Sequence, residues 1–197
     1  MTFPIDKFSK IGEPELIVDV RIPNARLKRN RTLGHLDPYW MIPITTIPLD
    51  YDTGMGLNAY INSLFGAYTK FDLPNPYPQP NPHGVTLVRT NAAKGNSSFV
   101  IDGLIIDQVD AIKAGHFIRF ENHDMIYQIT LNADADGFNE ATVNITPPLQ
   151  ENIAALDNVY MGDDVIFPVS IEDRSSATID AKNGKFMTIS LEVITQI

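Results

Sequence analysis

One segment of the sequence has the side-chain spacing of a calcium-binding loop. Asn132, Asp134 and Asp136 place oxygens at positions one, three and five, and Gly137 stands at position six, as in a helix–loop–helix calcium site. Position twelve is Val143, where such a loop needs a bidentate Glu, and the flanking residues alternate like strands. We therefore interpret the segment as a hairpin turn and predict no metal there.

The histidines are the other candidates for metal binding or acid–base chemistry. His116 and His123 bracket a predicted hairpin and Asp124 follows, but this spacing fits no zinc motif and the chain contains no cysteine. We therefore expect surface histidines. His35 and His83 lie in predicted loops without a Gly-x-Ser-x-Gly nucleophile pattern.

No sequence pattern pairs two carboxylates across a cleft, so the residues give no case for a glycosidase. We predict no catalytic residues, no cofactor-binding residues and no metal-binding residues. The corresponding expectation is that the protein is not an enzyme and uses no cofactor.

Composition limits the classes of function further. The chain has 197 residues and a formal net charge of -9, which argues against a nucleic-acid binder that works by neutralising phosphates. No apolar run reaches the roughly 20 residues of a membrane helix, and the N-terminus lacks the pattern of a secretion signal. The absence of cysteine suits a protein made in a reducing cytosol.

Two features are candidate partner contacts. The first is a local concentration of positive charge, called the basic cluster below: Arg21, Arg26, Lys28, Arg29 and Arg31. It can contact an acidic partner or a phosphate, although a solvated loop between strands is the favoured alternative. The second is Trp40, in an apolar segment that Pro43 places at a sheet edge or bulge, where a neighbouring subunit can pair. Ordinary core is the favoured alternative for Trp40.

The elements that must position these residues are mostly strands, with one helix. The spacing of an apolar stripe predicts a helix over about 55–69, capped by Asp52 or Thr53, with Gly54 and Gly56 as turn residues before it. The residues of that stripe are Leu57, Ile61, Leu64, Phe65 and Tyr68.

A proline-rich segment divides the chain. Five prolines at every second position between 74 and 82 require an extended course. An extended connector between domains is favoured over a peptide ligand for a proline-binding groove.

Beyond the connector the patterns are those of strands. Three extended segments between 112 and 145, separated by polar turns, predict an antiparallel meander that Pro147 and Pro148 end. Near the C-terminus, Met187, Ile189, Leu191 and Val193 alternate with polar residues, as in a half-buried strand.

The meander carries a resemblance to a known family. Its motifs are Lys113-Ala114-Gly115-His116-Phe117, Ile126-Tyr127-Gln128-Ile129-Thr130, and Ala141-Thr142-Val143-Asn144-Ile145-Thr146-Pro147-Pro148-Leu149. They resemble a pattern in distal tail proteins of long-tailed (siphovirus) bacteriophages, approximately K-A-G-D-[FY], Y-[QKR]-[VI]-T and a strand ending in P-x-L. His116 stands where an Asp is usual. The order of elements is similar along most of the chain.

The resemblance implies a mainly β (α+β) fold with two domains. Residues 1–84 and 166–197 would form a discontinuous ring-forming β-sandwich or barrel domain with one helix. Residues 85–165 would form an inserted small OB-like β-barrel. We expect a homo-hexameric ring at the virion tail tip, made in the host bacterial cytoplasm.

In that role the ring would join the tail tube protein to the baseplate hub or tip proteins and surround the DNA channel. We expect no membrane and no specific nucleic-acid binding, although phage DNA would pass through. An acidic lumen would suit such a channel because it repels phosphate.

Two other functions stay open. OB-like barrels often hold oligosaccharides or single strands, so the barrel can be a carbohydrate- or receptor-binding module, with Phe117, Phe120 and Tyr127 as candidate exposed aromatics. The other alternative is a cell-wall-degrading tail enzyme, which would need a clustered acid pair or a metal site.

Overall fold

The protein is mainly β, as the sequence predicted. The computed structural model describes residues 4–18, 20–21, 34–35, 38–64, 69–77, 81, 83–171, 178–182 and 186–195. One α-helix lies among these residues, α1 (Tyr51–Ser63). The strands are β1 (Phe8–Ile11), β2 (Glu15–Ile17), β3 (Val20–Arg21), β4 (Gly34–His35), β5 (Tyr39–Thr46), β6 (Leu49–Asp50), β7 (Phe71–Pro74), β8 (Thr86–Val88), β9 (Ser98–Asp102), β10 (Phe117–Phe120), β11 (Ile126–Ile129), β12 (Ala141–Thr146), β13 (Asn158–Met161), β14 (Ile166–Ile171), β15 (Thr178–Lys182) and β16 (Phe186–Thr195).

The chain divides into two compact units. The first comprises Met1–Phe71 and Val169–Ile197, and the second comprises Asp72–Pro168. The second unit is thus continuous in sequence and interrupts the first. Its boundary falls earlier than the sequence placed it, because residues 72–84 belong to the second unit. Asn75 accounts for this position: it is buried, its N–H donates to Val165 O and its Nδ2 donates to Gly162 O.

Most strands of the first unit belong to one eight-stranded sheet in which the C-terminal strand is central. The order is β1-β5-β16-β14-β7, with β2 also on β5 and with β6 and β15 also on β16. The predicted alternation in β16 is confirmed, since its apolar residues from Met187 to Val193 are buried. Ile44 lies opposite Leu191 and Ile42 opposite Val193, so the N-terminal and C-terminal parts of the chain share one core.

Pro43 does not lie at a sheet edge, because β5 has β16 on one side and β1 and β2 on the other. The bulge alternative fits, since residues 12–14 stand opposite only residues 42–43, between the pairs Ile11–Ile44 and Glu15–Met41. The missing N–H is tolerated at the break between β1 and β2. Gly12 lies in that break and donates its N–H to Pro43 O at 2.6 Å. In an antiparallel strand, the N–H and C=O of one residue point towards the same neighbouring strand. Because the C=O of Pro43 points towards Gly12, the N–H that proline lacks would also point towards the break between β1 and β2.

Helix α1 begins four residues before the predicted start at 55. Its N-cap is Asp50, whose carboxylate accepts the N–H of Thr53 at 3.0 Å, and not Asp52 or Thr53. Gly54 and Gly56, predicted as turn residues, lie inside the helix. The predicted apolar stripe is buried at Leu57, Ile61 and Leu64, and its last two members, Phe65 and Tyr68, lie outside the described residues.

Gly54 on α1 faces Met187 on β16. The residue is buried, and a Cβ at this position would overlap the Sδ and Cγ atoms of Met187. Gly56 is exposed and has no neighbour within 4 Å of a Cβ position. Packing therefore requires glycine at 54 and does not require it at 56.

The second unit contains a closed, six-stranded barrel in the order β10-β11-β12-β9-β8-β13. The predicted meander is confirmed as β10-β11-β12, with Phe117 opposite Gln128 and Gln128 opposite Thr146. All neighbouring strands of the barrel are antiparallel, and β13 closes it by pairing with β8 and β10. The barrel has one strand more than the five of an OB fold.

Several sequence predictions fall on residues with little or no structural description. Arg26, Lys28, Arg29 and Arg31 lie outside the described residues, and only the backbone of Arg21 is described, in β3. No helix in the described part of the chain has the length and apolar character that a bilayer crossing requires.

Candidate functional site

The barrel interior contains the aromatic residues that the binding hypothesis required on the surface. Phe117, Phe120 and Tyr127 are at most 3% exposed, so the prediction of a stacking face built from them is wrong. Phe120 packs edge-to-face on Phe99, His123 and Tyr127, with ring centroids 5.1 to 5.5 Å apart. These rings form a packed core in place of a base- or sugar-stacking platform.

His123 is part of that core, which corrects the expectation of a surface histidine. The ring is buried, with Nε2 at 3.3 Å from Asn152 O and Nδ1 at 3.2 Å from the Tyr127 hydroxyl. A carbonyl only accepts, so Nε2 is the donor to Asn152 O, and Nδ1 pairs with the Tyr127 hydroxyl. The Tyr127 oxygen accepts the N–H of Gln150 at 3.1 Å.

This chain of hydrogen bonds connects the barrel to the loop at 150–152. Burial raises the pKa of Tyr127 to about 12, because the tyrosinate would lose its hydration. Tyr127 and His123 therefore stabilise the core, and neither side chain is available to a substrate.

The calcium-like segment is a hairpin loop between β11 and β12, and its oxygens bind backbone. Asn132 Oδ1 accepts the N–H of Ala114, Asp134 Oδ1 accepts that of Asp110, and Asp136 Oδ1 accepts those of Phe138 and Glu140. Among the described residues, no three His, Asp or Glu side chains come together as a metal site. The acidic side chains instead fix the loop.

Two loops pair along their length through these contacts. Backbone hydrogen bonds run from Leu104 N to Asn139 O, from Asp107 N to Asp136 O, and from Ala135 N to Gln108 O. The isolated bridge between Ile112 and Ala133 continues the pairing. Asp107 and Asp110 have φ values of 53° and 51°, a conformation that Asp and Asn adopt more readily than most residues. The segment at 103–112 is therefore held in one conformation.

A cavity of about 340 Å³ lies beside these loops, within the second unit. Its polar lining consists of Asn81, His83, Gln108, Asp110, Lys113 and His116. Its apolar wall includes Ile112, Ile129 and Met161, all of them buried. A volume near 300 Å³ is at the lower end of the range for small-molecule sites.

Two lining residues each have a buried side-chain atom without a hydrogen-bond partner among the described residues: His83 Nδ1 and Gln108 Oε1. His83 Nε2 donates to Ala111 O at 2.8 Å. Gln108 Oε1 is an acceptor. Buried acceptors without a donor are costly and are usually satisfied by water or a ligand.

The charged groups lie at two parts of the lining. Asp110 contributes a carboxylate whose Oδ1 accepts the Nδ2 of Asn132 at 3.0 Å. Lys113 contributes an ammonium group, and burial together with that ammonium lowers the pKa of His116 below its usual range. His116 is therefore neutral at pH 7, and Asp110 and Lys113 are the formal charges of the lining.

The sequence did not single out Gln108 or Asp110, and it treated His83 only as a loop histidine. These residues can be recognised as parts of one site only because they line one cavity, and the pairing of the two loops brings them there. Of the candidate partner contacts, Trp40 is 2% exposed, so it belongs to the core of the first unit. Its backbone N–H donates to Thr195 Oγ1. The basic cluster has no described side chain.

Comparison with known proteins adds no assignment. No protein-family model matches the chain, and no curated protein matches it.

Proposed function

We propose that the protein is a structural component of a long-tailed phage tail tip. It would form a homo-hexameric ring that joins the tail tube protein to the baseplate hub or tip proteins and surrounds the DNA channel. Its location would be the virion, after synthesis in the host cytoplasm.

The observation that carries this proposal is the discontinuous first unit. β16 returns to pair with β5 after a continuous second unit that contains a closed barrel. This is the arrangement that the resemblance to distal tail proteins implies. A fold alone does not determine function, so the proposal also uses the motifs of the meander and the net charge of -9.

The buried roles of Tyr127 and His123 favour a scaffold over an enzyme. The catalytic alternative needs a converging acid pair or metal site, and Asp134 and Asp136 instead accept backbone N–H groups in the paired loops. The cavity beside those loops favours a second candidate function, a ligand-binding module, because its lining combines polar side chains with an apolar wall.

The deciding experiment is the mass and shape of the purified protein. Light scattering after size exclusion should give about six times the 21.9 kDa chain, or about 131 kDa. Negative-stain images should show closed rings with a central opening. A mass of one chain across the accessible concentration range, with no rings, would refute the proposal.

The two alternatives have their own measurements. Release of soluble fragments from bacterial cell wall by the purified protein would favour the enzyme. Glycan-array binding by a single-chain species would favour a carbohydrate-binding module.

A further inference from the structure

We propose that the paired loops of the second unit bind the basic cluster of a second copy of this chain. The binding surface on the loops consists of four exposed apolar side chains, called the apolar tip below: Ile105, Ile106, Val109 and Phe138. The inference rests on the proposed ring, because it assigns one of the contacts between neighbouring subunits. It names both the surface and the segment that covers it.

The apolar tip occupies one short stretch of the paired loops. Backbone hydrogen bonds between positions 104 and 139 and between positions 107 and 136 enclose Ile105 and Ile106 on one loop and Phe138 on the other. Phe138 is 82% exposed, the highest value for a large apolar side chain among the described residues. Single exposed apolar side chains are normal, but several large ones in one place mark an interaction site.

The conformation of the loops does not depend on the apolar tip. Asp134 Oδ1 accepts the N–H of Asp110, and Asp136 Oδ1 accepts the N–H groups of positions 138 and 140. Carboxylates and backbone groups therefore hold the loops, and polar residues at 106 and 138 would leave these bonds intact. Loops that are held before binding lose less conformational freedom when a partner arrives.

The charge around the apolar tip is negative. Lys113 is the only base in residues 102–113, and residues 131–140 contain none. Four exposed carboxylates lie on the same two loops: Asp107, Asp110, Asp134 and Asp136. Four carboxylates against one ammonium leave an excess of negative charge, so the surface fits a partner that combines apolar side chains with positive charge.

The basic cluster has this complementary chemistry. It holds five of the 15 Lys and Arg residues of the chain within positions 21–31, and no Asp or Glu lies among them. Ile22 and Leu27 stand between the bases. Such a segment can supply apolar contacts to the tip and cations to the carboxylates beside it.

The contact joins two different surfaces of the chain. A contact of this kind is head-to-tail, and its repetition closes into a ring when the rotation between neighbours allows it. Two apolar tips facing each other would bring like charges together, which disfavours a symmetric dimer through this surface. The proposed occupant is therefore the basic cluster of the next subunit.

Phe138→Lys and Leu156→Lys form a matched pair for the first test. Both side chains are exposed in loops of the second unit and both changes add one positive charge, but only Phe138 belongs to the apolar tip. Light scattering on dilution should show that Phe138→Lys raises the concentration at which rings dissociate at least about tenfold, because the variant loses an apolar contact and repels the bases. Leu156→Lys should raise it less than about twofold. Ile106→Lys should behave like Phe138→Lys.

The second test mixes two variants of the full chain. The first keeps the apolar tip but carries four changes in the basic cluster: Arg26→Gln, Lys28→Gln, Arg29→Gln and Arg31→Gln. The second, Phe138→Lys, keeps the basic cluster but loses the tip. At a dilution where each variant alone is a single chain, the equimolar mixture should give a species of about 44 kDa, twice the 21.9 kDa chain, because one intact contact remains. Urea midpoints equal to that of the wild type show that both variants are folded.

The outcomes separate this inference from the proposed function. Wild-type rings that Phe138→Lys and Leu156→Lys weaken equally, or not at all, would overturn the inference and leave the ring intact. A mixture that stays single-chain would also overturn it, since the tip would then be covered by its own chain or by a different protein. A 44 kDa species beside a wild-type assembly of another size than six chains supports the contact and refutes the hexamer. A single-chain wild type refutes both.

Discussion

Replacing Gly54 by Ala should destabilise the first unit relative to the same replacement at Gly56. Both changes remove a glycine from the interior of α1, which by itself gains about 1 kcal/mol of helix stability. Only the Cβ at position 54 would overlap the Sδ and Cγ atoms of Met187, which is buried on β16. Overpacking of this kind costs about 1–3 kcal/mol.

The helix gain is common to both variants, so the difference between them isolates the packing cost. We expect Gly56→Ala to raise the free energy of unfolding by about 1 kcal/mol, and Gly54→Ala to leave it about 1–3 kcal/mol lower than Gly56→Ala. At a typical urea slope this separates the two midpoints by roughly 1 M.

Urea unfolding followed by tryptophan fluorescence is the appropriate assay. Trp40 is the only tryptophan in the chain and is buried in the first unit, so its emission reports on the unit that contains both glycines. In a Met187→Ala background, Gly54→Ala should become as favourable as Gly56→Ala. If Gly54→Ala alone raises the midpoint as much as Gly56→Ala does, the close packing of α1 on Met187 is refuted.

Three further predictions concern the core, the cavity and assembly. Tyr127→Phe should cost about 1–3 kcal/mol because Gln150 N–H and His123 Nδ1 each lose a buried partner, whereas Tyr160→Phe should change the urea midpoint little. The pKa of His116 is lowered in the folded state, so the unfolded chain binds more protons below about pH 6.5 and the free energy of unfolding falls as pH decreases through that range. His116→Gln should reduce this fall, measured by urea titrations at about pH 5 and pH 7.5. An unchanged pH dependence of the free energy of unfolding would contradict the prediction. Reversing the charges of the basic cluster should lower the ring fraction in light scattering more than Lys94→Glu does, and equal effects would remove the cluster as a partner contact.

The repetitive parts of the fold were predictable from the sequence. The period-two alternation from Met187 to Val193 specifies one buried face whatever the neighbours are, and β16 has that face. The turns of the meander were also recognisable from their residues, because Asn, Asp and Gly adopt turn conformations locally. These signals depend on residues within a few positions of one another.

The errors have a common cause in contacts between distant residues. Pro43 lies in an interior strand because Gly12, 31 positions earlier in the chain, meets it at a break in the ladder. His123 Nε2 donates to Asn152 O, 29 positions later in the chain, and this bond satisfies the ring nitrogen inside the core. A single-residue pattern carries no information about these partners.

The sequence by itself determined the mainly β class, the meander and the buried face of the last strand, because hydrophobic periodicity and turn chemistry are local. The tertiary structure alone decided that the acidic loop binds backbone and that His83, Gln108 and Asp110 line one cavity. His83 and Ala111 are 28 residues apart, and Asp110 and Asp134 are 24 apart. Only the pairing of the two loops brings these groups together, and that pairing is set by hydrogen bonds that no periodicity predicts.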